Sequence, residues 1–129
     1  MCTACVAIPE GSILSFTQLV SDQEKALAFY RDVLGFELRR DVIVGAGNRW
    51  IEVAPPGSTV TLALVAEGSN VPLGIRVGVP HIDLTHEAMQ RDEVDVDDAV
   101  IRTQYAPAMF GVRDPDSNAV VIVEVPGSQ

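Results

Sequence analysis

The side chains of this chain that could do chemistry are few and scattered. His81 and His86, with Asp83 and Glu87 nearby, offer metal-ligand types. Two histidines share a helical face at i and i+4, whereas these stand five apart around the start of a helix. They read as exposed helix-cap and helix-surface residues. Cys2 and Cys5 form a C-x-x-C. A metal knuckle needs a second pair and a redox motif a strand-to-helix setting, so these are incidental thiols near a terminus. Asp92, Glu93, Asp95, Asp97 and Asp98 crowd one segment, but it lacks the Gly and terminal Glu of a calcium loop and reads as a solvated loop and strand edge. Ser12, Ser15 and Thr17 have no histidine beside them on a recognisable framework, and no nucleophile elbow or phosphate loop occurs. Glu52 or Glu37 could serve as a base for proton transfer, although solvated strand carboxylates are the commoner case. No catalytic residue is assigned on spacing.

Composition narrows the partners. With 9 basic and 18 acidic residues the net charge is -9, which repels phosphate backbones and anionic lipid. Nucleic acid and membranes are therefore not expected partners, and a neutral or cationic small molecule is mildly favoured over an anionic one. The 129 residues, 47% hydrophobic and 21% charged, suit one globular domain. No run approaches the roughly 20 apolar residues of a membrane-spanning helix. Met1 to Pro9 has neither the basic start nor the apolar stretch of a signal peptide, so a cytoplasmic location is expected.

The elements that must position any site follow from periodicity. Ile13 to Val20 alternates as a strand. Ser21-Asp22-Gln23-Glu24 fits a capping box in which Ser21 accepts from the backbone NH of Glu24. Leu27, Tyr30, Val33 and Leu34 continue at helical spacing, predicting a helix over 22–34 ended by Gly35. Strands follow over 36–44, 50–53 and 59–65. The second half repeats the order: strand 73–79, helix 84–90, a strand within 94–104, strand 108–113, a turn at Asp114 to Asn118, and a β-branched strand 119–125. One domain over 1–129 is expected, built of two β-α-β-β-β modules over 10–68 and 71–126. Neither module buries its hydrophobic face alone.

The stretch from Val20 to Phe36, with Phe29-Tyr30 and Leu34-Gly35-Phe36, is similar to the first-helix signature of the glyoxalase/bleomycin-resistance (vicinal oxygen chelate) superfamily. Arg49-Trp50 followed by Ala54-Pro55-Pro56-Gly57 resembles a bacterial subgroup, and Phe110 to Asn118 resembles the closing hairpin. The resemblance spans residues 13 to 125. It implies an α+β fold in which the two modules form a curved mixed sheet around a cleft.

In metal-dependent members, His, Glu or Gln ligands come from the inward faces of the first and fourth strands of each module, and the metal acts as a Lewis acid. Carried over residue by residue, these positions fall on Ser15, on Thr61 or Ala63, on Gly74 and on Val121, none of them a normal ligand. A slip of two residues keeps the strand face and offers Ile13 or Thr17, Pro72 or Arg76, and Ala119 or Val123, again no normal ligands; Glu124 lies on the opposite face unless a bulge intervenes. The resemblance thus implies a site without metal or other cofactor. A mainly apolar pocket would be formed by Ser15, Thr17, Trp50, Thr61, Gly74, Arg76, Met109, Gly111 and Val121. Trp50, with Tyr105 and Phe110, could present a flat face, and Arg49, Arg76 or Arg113 could clamp a carboxylate or phosphonate. Whether Trp50 faces the pocket or the core stays open. The expected protein binds or sequesters a small organic molecule and forms a homodimer. The alternative is a glyoxalase- or dioxygenase-like enzyme with an unusual divalent-metal site.

Overall fold

A computed structural model of the chain describes residues 11–69, 71–104 and 106–126. The first half contributes β1 (Ser12–Val20), α1 (Gln23–Ala28), β2 (Glu37–Val44), β3 (Asn48–Ala54) and β4 (Thr61–Ala66). The second contributes β5 (Ile75–Val79), α2 (Ile82–Arg91), β6 (Met109–Arg113) and β7 (Ala119–Glu124). All seven strands join one mixed sheet in the order β2-β3-β4-β1-β5-β7-β6. Each half uses the same pairing: its first strand runs parallel to its last, β1 to β4 and β5 to β7. Antiparallel pairing of β1 with β5 joins the halves edge to edge within one chain.

Both helices cover one face of this sheet. Leu27 of α1 packs on Ile51, Val53 and Leu64, while Ile82 and Met89 of α2 pack with Val79, Phe110 and Ile122. Burying each large side chain of these clusters contributes about 1.5–3 kcal/mol. Strand alternation sends the intervening residues to the opposite face. There Trp50, Ala63 and Val65 form a third cluster with Val42, Val44 and Val71.

Three local features differ from the periodicity. The cap of α1 is Asp22, not Ser21: Asp22 has extended φ/ψ and its Oδ1 accepts from the Lys25 backbone NH at 3.1 Å. Beyond Ala28 the helix widens into a π-turn, Phe29–Val33, in place of the single α-helix expected over 22–34. Gly35 then ends it at φ +76°, as a left-handed helix end requires. The strand expected within 94–104 is reduced to two isolated bridges, Val96 to Val112 and Ile101 to Met109. Asp97 explains the interruption. Its NH donates to the Gly111 carbonyl, but the Gly111 NH donates to the Asp97 carboxylate, so a side chain substitutes for a ladder bond.

Candidate functional site

The helix-free face presents one row of side chains across the middle of the sheet. Ser15 on β1 lies opposite Thr61 on β4 and Arg76 on β5, Arg76 lies opposite Val121 on β7, and Val121 opposite Gly111 on β6. A register shift between Ile13 and Ser15 makes this row possible. It turns Ser15 inward, 0% exposed, while Ile13 stays 48% exposed.

The fifth-strand place in the row belongs to Arg76, not to Gly74. Gly74 precedes β5 with φ +128°, where a Cβ would stand 2.4 Å from the Ala119 carbonyl oxygen. Its carbonyl accepts from the Thr17 hydroxyl at 2.6 Å. Gly74 and Thr17 thus form a structural clasp between the two modules. The position carried over to Gly74 falls short of the strand because β5 begins only at Ile75.

Beside the row is a cavity of about 250 Å³. Trp50, Arg76, Met109 and Val121, all expected at the site, line it together. Val42 and Val44 of β2, Val71 and Pro72 of the inter-module linker, and Ile101 and Thr103 of the irregular segment extend its wall. Arg40 and Asn48 supply further polar atoms. Ser15 and Thr61 are not in the wall but lie behind it, and Thr17, Gly74 and Gly111 stand outside. Trp50 is only 6% exposed and serves both as cavity wall and as core partner of Ala63 and Val65.

Behind the wall runs a buried polar network. Glu52 accepts from Trp50 Nε1 at 2.5 Å through Oε2 and from the Thr61 hydroxyl at 2.6 Å through Oε1. Arg76 lies 3.8 Å from the same carboxylate, donates to Ser15 Oγ at 3.3 Å, and places its guanidinium 4.9 Å from the Trp50 ring centroid. Burial lowers the Arg76 pKa from its ordinary value; the Glu52 charge opposes that shift and the Arg40 charge adds to it. Glu52 is therefore not the solvated strand carboxylate expected of it. Both of its oxygens are engaged and it lies outside the cavity wall, so it is not placed to take a proton from a bound molecule. Sequence reasoning missed this network and the contribution of β2. Alternation along β3, which puts Trp50 and Glu52 on one face, was the available signal.

The remaining candidates disperse. Arg49 is tied to Asp41 and Glu24, and Arg113 to Asp95 and Asp97, so neither clamps the cavity. Asp95 and Asp97 are thereby ion-paired rather than freely solvated. Phe110 is fully buried on the helix side against His86, at a ring-centroid distance of 4.8 Å, and presents no face to the cavity. His86 is 7% exposed, contrary to its reading as a surface residue, and its Nε2 meets the Asp97 carbonyl at 2.7 Å. His81 caps α2 without a side-chain hydrogen bond, and Glu124 accepts from the Ile82 NH beside it at 3.3 Å. Glu37 is exposed and paired with Arg39. Cys2, Cys5 and Tyr105 lie outside the described residues.

A divalent metal does not fit the row. Its side chains are two hydroxyls, a valine and a guanidinium, and the nearest carboxylate already accepts two hydrogen bonds beside that fixed positive charge. Among the described residues no group of three or more His, Cys, Asp or Glu side chains is placed to hold a metal ion. Likewise, among the described residues no helix is long and apolar enough to cross a membrane.

Comparison with known proteins adds a family model, Glyoxalase/Bleomycin resistance protein/Dioxygenase superfamily, which matches residues 12–122. Methylmalonyl-CoA epimerase from Mycobacterium tuberculosis superposes with a TM-score of 0.72 at 19% identity, covering 90% of this chain and 88% of the epimerase. A hypothetical protein of Bacillus halodurans C-125 gives 0.75 at 14% identity, covering 93% and 98%. These likenesses establish the α+β fold. TnmS3, an antibiotic binding protein from Streptomyces sp. CB03234, is 33% identical over 90% of this chain and 96% of its own, with a TM-score of 0.41. No curated protein sequence matches the chain significantly.

Proposed function

The chain belongs to the glyoxalase/bleomycin resistance protein/dioxygenase superfamily, and from that premise we propose that it binds a small organic molecule in the Trp50 cavity without a metal ion. The carrying observation is the occupant of the central row: a guanidinium, that of Arg76, replaces a ligand side chain and is anchored by Glu52 and Trp50. A dication placed there would meet a fixed positive charge. The walls support the rest of the reading. Val42, Val44, Ile101, Met109 and Val121 make an apolar trough against one indole, with a few polar atoms at its side.

The same reading takes the protein to be a homodimer. Ile13, Phe16 and Ile75, on the central strands, remain exposed on the face that carries the helices. Light scattering on the purified protein tests that point separately.

The functional test has two arms. Thermal shift with Ni, Zn, Mn and Fe(II), together with metal content by mass spectrometry, is expected to give no stabilisation and near-zero stoichiometry. A screen of planar organic compounds read by the emission of Trp50, the single tryptophan, is expected to give saturable quenching. One tightly held metal per chain would overturn the reading and return the enzyme alternative to first place.

A further inference from the structure

The charge of the cavity is opposite to the charge of the protein. The chain carries a net charge of -9, yet the charged side chains lining the cavity are Arg40 and Arg76. Glu52 offsets part of the Arg76 charge from 3.8 Å but does not itself line the cavity. It sits behind Arg76, with one oxygen taken by Trp50 and the other by Thr61. Arg76 has five N–H donors; Nη1 is directed at Ser15 and Glu52, and the guanidinium rests against the indole. Donors remain for a molecule in the cavity. Arg40 has no ion-pair partner among the described residues.

We propose that Arg76, held in the central row by Trp50 and Glu52 and assisted by Arg40, makes the cavity selective for flat organic anions of the aryl carboxylate class. The aromatic body lies against Trp50 and the valine wall, and the carboxylate accepts from the two guanidinium groups. Arg76 thereby supplies, as a fixed cation, the oxygen-binding role that a metal ion would otherwise have in that row. A guanidinium suits this use because its planar fork matches a carboxylate and cannot lose its proton there. The acidic exterior makes the selectivity a property of the cavity alone, since long-range attraction would favour the opposite charge. The inference rests on the reading of the cavity as a ligand site.

The test compares 2-naphthoate with 2-naphthamide, which share a ring system and differ in charge, by calorimetry and Trp50 emission. Naphthoate is expected to bind roughly tenfold or more tightly, and raised salt should narrow the difference. Glu52→Gln removes the anion behind Arg76 and should strengthen naphthoate binding further, which a merely structural role for the pair would not produce. Arg40→Gln, at an exposed position, should weaken naphthoate severalfold and leave naphthamide unchanged. The double variant Glu52→Gln/Arg76→Gln keeps the buried pair neutral and should abolish the preference. Equal affinities, or a ratio untouched by Arg40→Gln, would overturn the selectivity while leaving the cavity reading intact. Binding of neither compound would remove the cavity reading itself, and the inference with it.

Discussion

Arg76 on β5 reaches the Trp50 ring on β3, 4.9 Å from guanidinium carbon to ring centroid, across two intervening strands. The contact links the two modules over the top of β4 and β1. It is possible because the side chains beneath it are small: Thr61 and Ala63 on β4, and Ser15 on β1. A larger side chain at Ser15, which is fully buried, would lift Arg76 away from the indole. Ser15→Leu is expected to destabilise the fold by about 1–3 kcal/mol through overpacking and to shift the Trp50 emission spectrum. Urea unfolding followed by that emission reads both effects; an unchanged spectrum would show that the contact tolerates the added volume.

Arg76 and Glu52 should behave as a unit. Arg76→Met alone leaves a buried carboxylate without its cation, for an expected loss on the order of 3 kcal/mol. The double variant Arg76→Met/Glu52→Gln removes both charges and should recover much of that loss. A double-mutant cycle in urea measures the coupling. Strictly additive losses would mean that the 3.8 Å separation does not represent an energetic pair.

Gly74 offers a backbone test that leaves the cavity chemistry alone. With φ +128° and the Ala119 carbonyl oxygen close to where a Cβ would stand, Gly74→Ala must push the entry to β5 away from the start of β7 within the second module. A loss of roughly 2 kcal/mol or more is expected, visible as a lowered Tm. Thr17→Val, which removes the hydroxyl that donates to the Gly74 carbonyl and accepts from the Gly74 NH, should lose less, about 1 kcal/mol.

Asp97 gives a pH dependence with a definite sign. Its hydrogen bond from Arg113 holds the carboxyl below the usual carboxylate range, helped by the Gly111 NH and opposed by burial. A folded-state pKa below the unfolded value means that the ionised form is preferred in the native protein. The stabilisation is present above the ordinary value near 3.9 and is lost as pH falls through the folded value. Asp97→Asn is therefore expected to be less stable than the native chain by about 1 kcal/mol at pH 7, and the two should converge as the solution is acidified below pH 4. Urea midpoints across that range check it. Because the Asp97 segment leads to Ile101 and Thr103 in the cavity wall, the variant should also loosen ligand binding.

Local patterning determined the α+β class, the repeated module and most of the strands. Alternation and helical spacing depend on neighbouring residues, and Gly35 stands where a left-handed helix end is needed. The sequence also named Trp50, Arg76, Met109 and Val121 as candidate pocket residues while leaving the facing of Trp50 open, and all four line the cavity. Chain order does not contain the register between strands. The shift in β1 that turns Ser15 inward, the displacement of the fifth-strand position from Gly74 to Arg76, and the passage of Arg76 over small residues to Trp50 arise from hydrogen bonding among β3, β4, β1 and β5. Those strands are brought side by side from both halves of the chain. Burial of Glu52 and His86 has the same origin: each looks like a surface residue in its own segment and is enclosed only by what the rest of the chain places against it.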